Sequence, residues 1–182
     1  MTRYCIAYVA NKEIQEYFRS TAKDLEDKFQ VNNLADRVSA HITLKYPFEI
    51  ESAGDVGEME LRIEKVSHLL TQTPFSISGF GRFSDNKRTI FLEVEENAEF
   101  RSAMDQCMDK LGEFEEDRKF SASDRTFHVS VVRNLEEDMS DRVFDYLKSM
   151  QRPNFKAVFD NIALMRFKNE AWEVKKMFKL SQ

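Results

Sequence analysis

Of the three histidines in the 182 residues, two stand in nearly the same local order, His41-Ile42-Thr43-Leu44 and His128-Val129-Ser130-Val131. Each run reads imidazole, apolar, hydroxyl, apolar. On an extended strand positions i and i+2 share a face, so each histidine stands beside its own hydroxyl while the apolar partners turn into a core. Two imidazoles facing one another suit displacement at a phosphodiester. One takes a proton from the attacking oxygen and the other gives one to the leaving oxygen, and a histidine pKa near ~6.5 makes both states accessible at neutral pH. The hydroxyls of Thr43 and Ser130 would donate to the non-bridging phosphate oxygens, where charge builds up in the transition state. Lys45 continues the polar face of the first run and Arg133 follows the second, each a candidate to neutralise phosphate charge. Such a site needs neither metal nor cofactor. The third histidine, His68, falls off the apolar stripe of its segment and reads as solvated.

The elements that must position these groups follow from hydrophobic period. Residues 4–10 are short, aromatic and β-branched, a strand. Asn11 is a helix N-cap, and Ile14, Phe18, Ala22, Leu25 and Phe29 recur at helical spacing to about residue 29. From Val38 to Phe48 the period becomes two, and the same alternation returns over 126–132. That spacing puts Tyr46 and Phe127 on the core face. Between them lie a helix over about 55–71, a hairpin of 75–83 and 88–95 turning at 84–87, a helix ending at Leu111, and a charged loop over 112–124. Ser140 is expected to cap a fourth helix, and two strands, about 155–167 and 171–180, end the sequence. The order strand, helix, polar-faced strand, helix occurs twice. A duplicated lobe related by a pseudo-twofold axis would bring both histidine runs to one cleft.

Composition narrows the classes. With 42% hydrophobic and 32% charged residues, and 16 Phe, the sequence has the material for a globular core. The longest apolar run, residues 5–10, is far short of a membrane span, and no signal peptide is read at the start. A cytoplasmic protein is therefore expected, with Cys5 and Cys107 as buried, reduced thiols. The net charge of −5 argues against coating duplex DNA. Residues 152–182 nevertheless carry seven bases against three acids, so a local site for one anionic group is compatible with that balance. A Gly-Lys-Ser/Thr phosphate loop, a dinucleotide fingerprint and cysteines at zinc-ligand spacing are all absent.

The paired runs resemble those of the 2H phosphoesterases, named for two His-x-Thr/Ser-x motifs, and within them the 2'-5' RNA ligase-like group. The resemblance also takes in Lys45-Tyr46 after the first motif, the Gly79-Phe80-Gly81-Arg82-Phe83 segment before a strand opened by Arg88, and Arg133 after the second motif. Tyr46-Pro47-Phe48 departs from the aromatic-Leu-Gly string of many relatives, and Ser130 stands where Thr is commoner. The resemblance implies an α+β fold over residues 1–182 as one bilobal domain. Two pseudo-twofold lobes of antiparallel sheet would carry helices outside, with the motif strands lining a central cleft. A monomer is expected, and the resemblance further implies action on RNA ends or small nucleotides bearing a 2',3'-cyclic phosphate, with His41 as acid and His128 as base, and reversible 2'-5' ligation by the same pair. The pseudo-symmetric residues themselves leave the acid and base roles open. A different class of function, a nucleotide or RNA-end binding module without turnover, fits the same cleft and is separated from the enzyme by whether product forms.

Overall fold

The computed structural model describes residues 2–83, 88–112 and 126–182. Strand β1 (Thr2–Val9) leads into helix α1 (Lys12–Phe29), where Asn11 accepts a hydrogen bond from the Ile14 amide as N-cap. After a short 3-10 turn at Leu34–Asp36, β2 runs His41–Ile50. Helix α2 (Ala53–Leu69) is capped by Ser52 and followed by β3 (Thr73–Arg82) and β4 (Ile90–Glu95). Helix α3 (Ala98–Leu111), capped by Asn97, precedes β5 (His128–Val132). Helix α4 (Glu137–Ser149), β6 (Asn154–Phe159), β7 (Asn161–Lys168) and β8 (Ala171–Lys179) complete the described order.

The strands form two antiparallel sheets, ordered β2-β1-β7-β8 and β5-β4-β3-β6. The units β1-α1-β2 and β4-α3-β5 occupy equivalent places in the two sheets, which bears out the twofold repeat and the α+β, two-lobed class. In each sheet the histidine-bearing strand is an edge, and the edges β2 and β5 lie against each other. An edge position also tolerates Pro47 within β2, since the missing N–H leaves no central ladder bond unmade. One apolar core joins the sheets: Tyr8 of β1 meets Phe75 of β3 and Phe159 of β6 at ring-centroid distances of 5.5 and 6.0 Å. Phe75 in turn stacks on Phe100 of α3 at 4.4 Å. Each ring of this kind that is taken fully out of water contributes roughly 1.5–3 kcal/mol.

Several expectations are corrected. The closing segment is three strands: the chain leaves one sheet after Phe159 and enters the other at Asn161, because Asn161 and the residues after it pair with β8 and β1. Ser140 does not cap α4. The helix starts a turn earlier at Glu137, with acidic residues in its first turn favoured by the helix dipole, and Ser140 is fully buried within it. The motif strands begin at His41 and His128, later than the alternation of side chains suggests, since Val38 and Phe127 are buried before pairing starts. Tyr46 is half-buried, while Phe127 is buried as expected. Cys5 and Cys107 are buried free thiols, and burial pushes both up to about 12. His68 is exposed. The turn at 84–87, and all of the 112–124 loop except Gly112, lie outside the described residues. Among those residues no helix is long and apolar enough to cross a membrane.

Candidate active site

The two histidines are held by the same device. His41 Nδ1 lies 2.8 Å from the Ser39 carbonyl oxygen, and His128 Nδ1 lies 2.8 Å from that of Thr126. A carbonyl only accepts, so each Nδ1 carries the proton and donates it. Each Nε2 is then left as the proton-accepting atom of the neutral ring, and as a donor once the ring is charged. The sequence offers no motif for this, but a backbone carbonyl two residues upstream of each histidine makes the two sites local copies.

Strand β2 is pinned on the His41 side by α1. Buried Gln15 accepts from the Ala40 amide at 2.9 Å and donates to the Ala40 carbonyl at 2.8 Å and the Ala10 carbonyl at 3.2 Å. Asn161 of β7 bonds both the amide and the carbonyl of Val9 at 3.0 Å, and Val9 is the register partner of His41. Gln15 is thus a positioning residue. Gln15→Leu is expected to lower folding stability by about 2 kcal/mol, because it leaves the buried Ala40 amide unpaired while the Ala40 carbonyl keeps the Ala10 amide, and denaturant unfolding checks it.

Antiparallel partners share a face, so Thr43 (opposite Ala7) lies on the His41 face of its sheet. Its hydroxyl makes no hydrogen bond among the described residues. On the other lobe Ser130 Oγ accepts from Arg133 at 3.0 Å, which leaves the Ser130 proton to be donated elsewhere. Arg133 follows β5 directly, before Asn134 in a left-handed conformation (φ 59°). The turn that carries them is held by Arg88, whose Nε donates to the Leu135 carbonyl at 3.0 Å and whose own carbonyl accepts from the Leu135 amide at 3.1 Å.

Electrostatics ties these groups together. Burial lowers His41 from 6.5 to about 4, helped by the positive charge of Arg133 and by His128, against a smaller opposite pull from the Ser39 carbonyl. His128 is lowered too, first by burial and then by Arg133. Arg133 therefore acts on both rings, and His128 acts on His41, across the seam between β2 and β5. Lys45 is set apart. The register of β2 on β1 slips between Thr43 and Lys45, and the charge of Lys45 registers at Cys107 of α3.

Around His128 the structure adds neighbours that the motif does not contain. The rings of Phe83 and Phe91 lie 5.1 and 5.0 Å from the His128 ring and 4.8 Å from each other. Phe91 is the register partner of Ser130. Only cross-strand register could have found it. Gly79 adopts φ +73° at an irregularity in β3, a conformation other residues adopt only with strain. No group of three or more His, Cys, Asp or Glu side chains suited to a metal ion occurs among the described residues. Among the described residues the two facing edge strands and the turn after β5 carry an imidazole each, the hydroxyls of Thr43 and Ser130 and the Arg133 guanidinium, groups that suit a tetrahedral anion.

Residues 11–171 match the 2'-5' RNA ligase superfamily. The chain belongs to this superfamily. Among its relatives is a protein of Geobacillus thermodenitrificans named "Putative phosphoesterase", 24% identical over 173 residues that cover 94% of this chain and 92% of the relative. The fold matches crystal structures of Escherichia coli LigT. In the 3'-AMP complex the TM-score is 0.62 at 14% identity, covering 100% of this chain and 99% of that one. Usb1 of Kluyveromyces marxianus matches at a TM-score of 0.52 and 11% identity over 98% of both chains. The superfamily and the fold support a phosphoesterase or 2'-5' RNA ligase-like activity for this chain, with two sheets of superfamily topology meeting at the strands that carry the histidines.

Proposed function

We propose that this protein opens 2',3'-cyclic phosphates at RNA or oligonucleotide ends, or on related cyclic nucleotides, by acid-base catalysis between His41 and His128 without a metal ion. The observation that carries the reading is the matched pair of Nδ1-to-carbonyl bonds, which leaves two Nε2 atoms for proton transfer beside one guanidinium. In the order the resemblance implies, His128 Nε2 takes the proton of a water whose oxygen bonds to phosphorus. The bond from phosphorus to one ribose oxygen breaks, and His41 gives that oxygen its proton. Thr43, Ser130 and Arg133 hold the phosphoryl oxygens as charge accumulates on them. Both rings are lowered in the free protein, so the phosphate anion itself favours the protonated ring when it binds. With a ribose 5'-hydroxyl in place of water the same pair would join two ends: His128 takes the hydroxyl proton, its oxygen bonds to phosphorus, the bond from phosphorus to the 3'-oxygen breaks, and His41 protonates that oxygen, leaving a 2'-5' linkage. LigT with 3'-AMP, and with phosphate, supports the substrate class by fold likeness.

The test is a panel of RNA 2',3'-cyclic ends, mononucleotide cyclic phosphates and 2'-5'-linked oligonucleotides incubated with the purified protein in EDTA. Phosphorus NMR reads the position of the product phosphate. Opening of the cyclic phosphate in EDTA is expected. Nucleotide binding by calorimetry with no product after prolonged incubation would instead mark a binding module, and activity lost in EDTA and restored by a divalent cation would overturn the metal-free mechanism.

A further inference from the structure

We propose that Glu93 reads the base attached to the phosphate, and that the base it selects is guanine. This rests on the cyclic-phosphate reading above and names the substrate within it. Glu93 is the register partner of His128 on β4, so the two side chains share a face, with Cβ atoms about 4.5–5.5 Å apart for such a pair. Two carboxylates stand on that face of β4, two positions apart. Glu95 is engaged: Ser78 donates to it, and Arg152 lies 3.9 Å from it. Glu93 makes no hydrogen bond or ion pair among the described residues.

The floor beneath Glu93 is cut to fit it. A Cβ on Gly81 would stand 2.8 Å from Glu93 Oε1 and 2.6 Å from Phe91 Cε2, and one on Gly79 would stand 3.3 Å from Glu93 Oε2 and 3.2 Å from Nε of Arg152, whose guanidinium lies on the far side of the carboxylate from His128. Glycine at these positions lets the carboxylate and the Phe91 ring lie down side by side. Half-buried Phe83, packed on Phe91 and on His128, adds an aromatic surface beside them.

The Arg152 guanidinium near Glu93 offsets part of the repulsion between this carboxylate and a bound phosphate, and hydrogen bonds received from the same ligand would offset more of it. Unpaired RNA bases are recognised by stacking on aromatic rings and by hydrogen bonds to their Watson–Crick edges. Only guanine presents two adjacent N–H donors on that edge, N1–H and the N2 amino group, and their spacing matches the two oxygens of one carboxylate. Adenine and cytosine set one amino donor beside a ring-nitrogen acceptor, and uracil flanks its single N–H with two carbonyls. Each of these turns a lone pair toward Glu93. A site built for paired donors rejects the analogues that lack them by far more than a difference in shape would.

The experiment compares the guanosine and adenosine 2',3'-cyclic phosphates by kcat/KM, and 3'-GMP with 3'-AMP by calorimetric Kd, in the parent protein and in Glu93→Gln. A guanine preference of at least about tenfold is expected in the parent. Glu93→Gln, which points an amide N–H at guanine's own donors, is expected to collapse it. Glu93 is exposed, so the variant should fold, and thermal unfolding confirms that. A ratio near one in the parent, or a preference that survives Glu93→Gln, overturns the proposal. Binding needs no turnover, so a guanine preference in Kd that Glu93→Gln abolishes, without hydrolysis of either cyclic phosphate, sustains the role of Glu93 while removing the hydrolytic reading.

Discussion

His41→Ala and His128→Ala are each expected to lower turnover of a 2',3'-cyclic phosphate by about 10²–10⁴-fold, the range for removing a positioned general acid or base. The loss should fall on kcat more than on KM, because proton transfer is made only in the transition state, whereas the proposed phosphate ligands Thr43, Ser130 and Arg133 would still hold the ground state. The double variant should be little worse than the poorer single one. Once one partner is gone, the other has no concerted step to complete, so their effects do not multiply. His68→Ala, a change at the exposed third histidine, provides the control with parental rates. Circular dichroism and thermal unfolding separate loss of chemistry from loss of fold, which matters most for buried His41. Parental activity in either single variant would remove the acid-base pair as the source of catalysis.

The likelihood of reading such a pair from sequence depends on what strand alternation carries. Period two is a local property, so His41 with Thr43, and His128 with Ser130, could be placed on one face without knowing any neighbour. Duplication then implied that the faces meet, and the sheet orders β2-β1-β7-β8 and β5-β4-β3-β6 show the arrangement that lets edge strands do so. Three things were not legible. Cross-strand register was one: Phe91 and Glu93 stand opposite Ser130 and His128 only because of how β4 aligns with β5. Irregularities were another. The slip between Thr43 and Lys45 is a joint property of β1 and β2, and it breaks the simple extrapolation of the polar face to Lys45. Long-range polar clamps were the third, since nothing in the helical stripe of α1 marks Gln15 as the partner of Ala40. Asp160 belongs with these. It reads as a residue within a strand, yet the chain changes sheets around it, because that choice is made by the partners of β6 and β7.

In the proposed mechanism Arg133 would set both how tightly the phosphate is held and the pH at which the pair works. Productive chemistry requires one ring protonated and the other neutral, so kcat/KM follows the singly protonated form of the free protein, between the two macroscopic pKa values of the pair. Burial and Arg133 lower both rings from 6.5, His41 to about 4, so the optimum of kcat/KM is expected on the acid side of 6.5, with rates falling as the second proton is lost. The optimum of kcat should lie higher, because a bound phosphate anion favours the charged ring. Arg133→Gln removes a cation that disfavours both protonated rings, so both pKa values rise and the kcat/KM optimum moves to higher pH. It also removes the partner of Ser130 and the proposed donor to the phosphate, for an expected loss of about 10²–10³-fold at each protein's own optimum. Measuring the full pH profile of both proteins separates the two effects, since a merely structural defect would scale the curve without shifting it. An optimum above pH 7 in the parent protein, or one that Arg133→Gln leaves in place, would mean that the rings do not share the field of this guanidinium in solution, and with it the coupling of the two lobes through a single phosphate would fall.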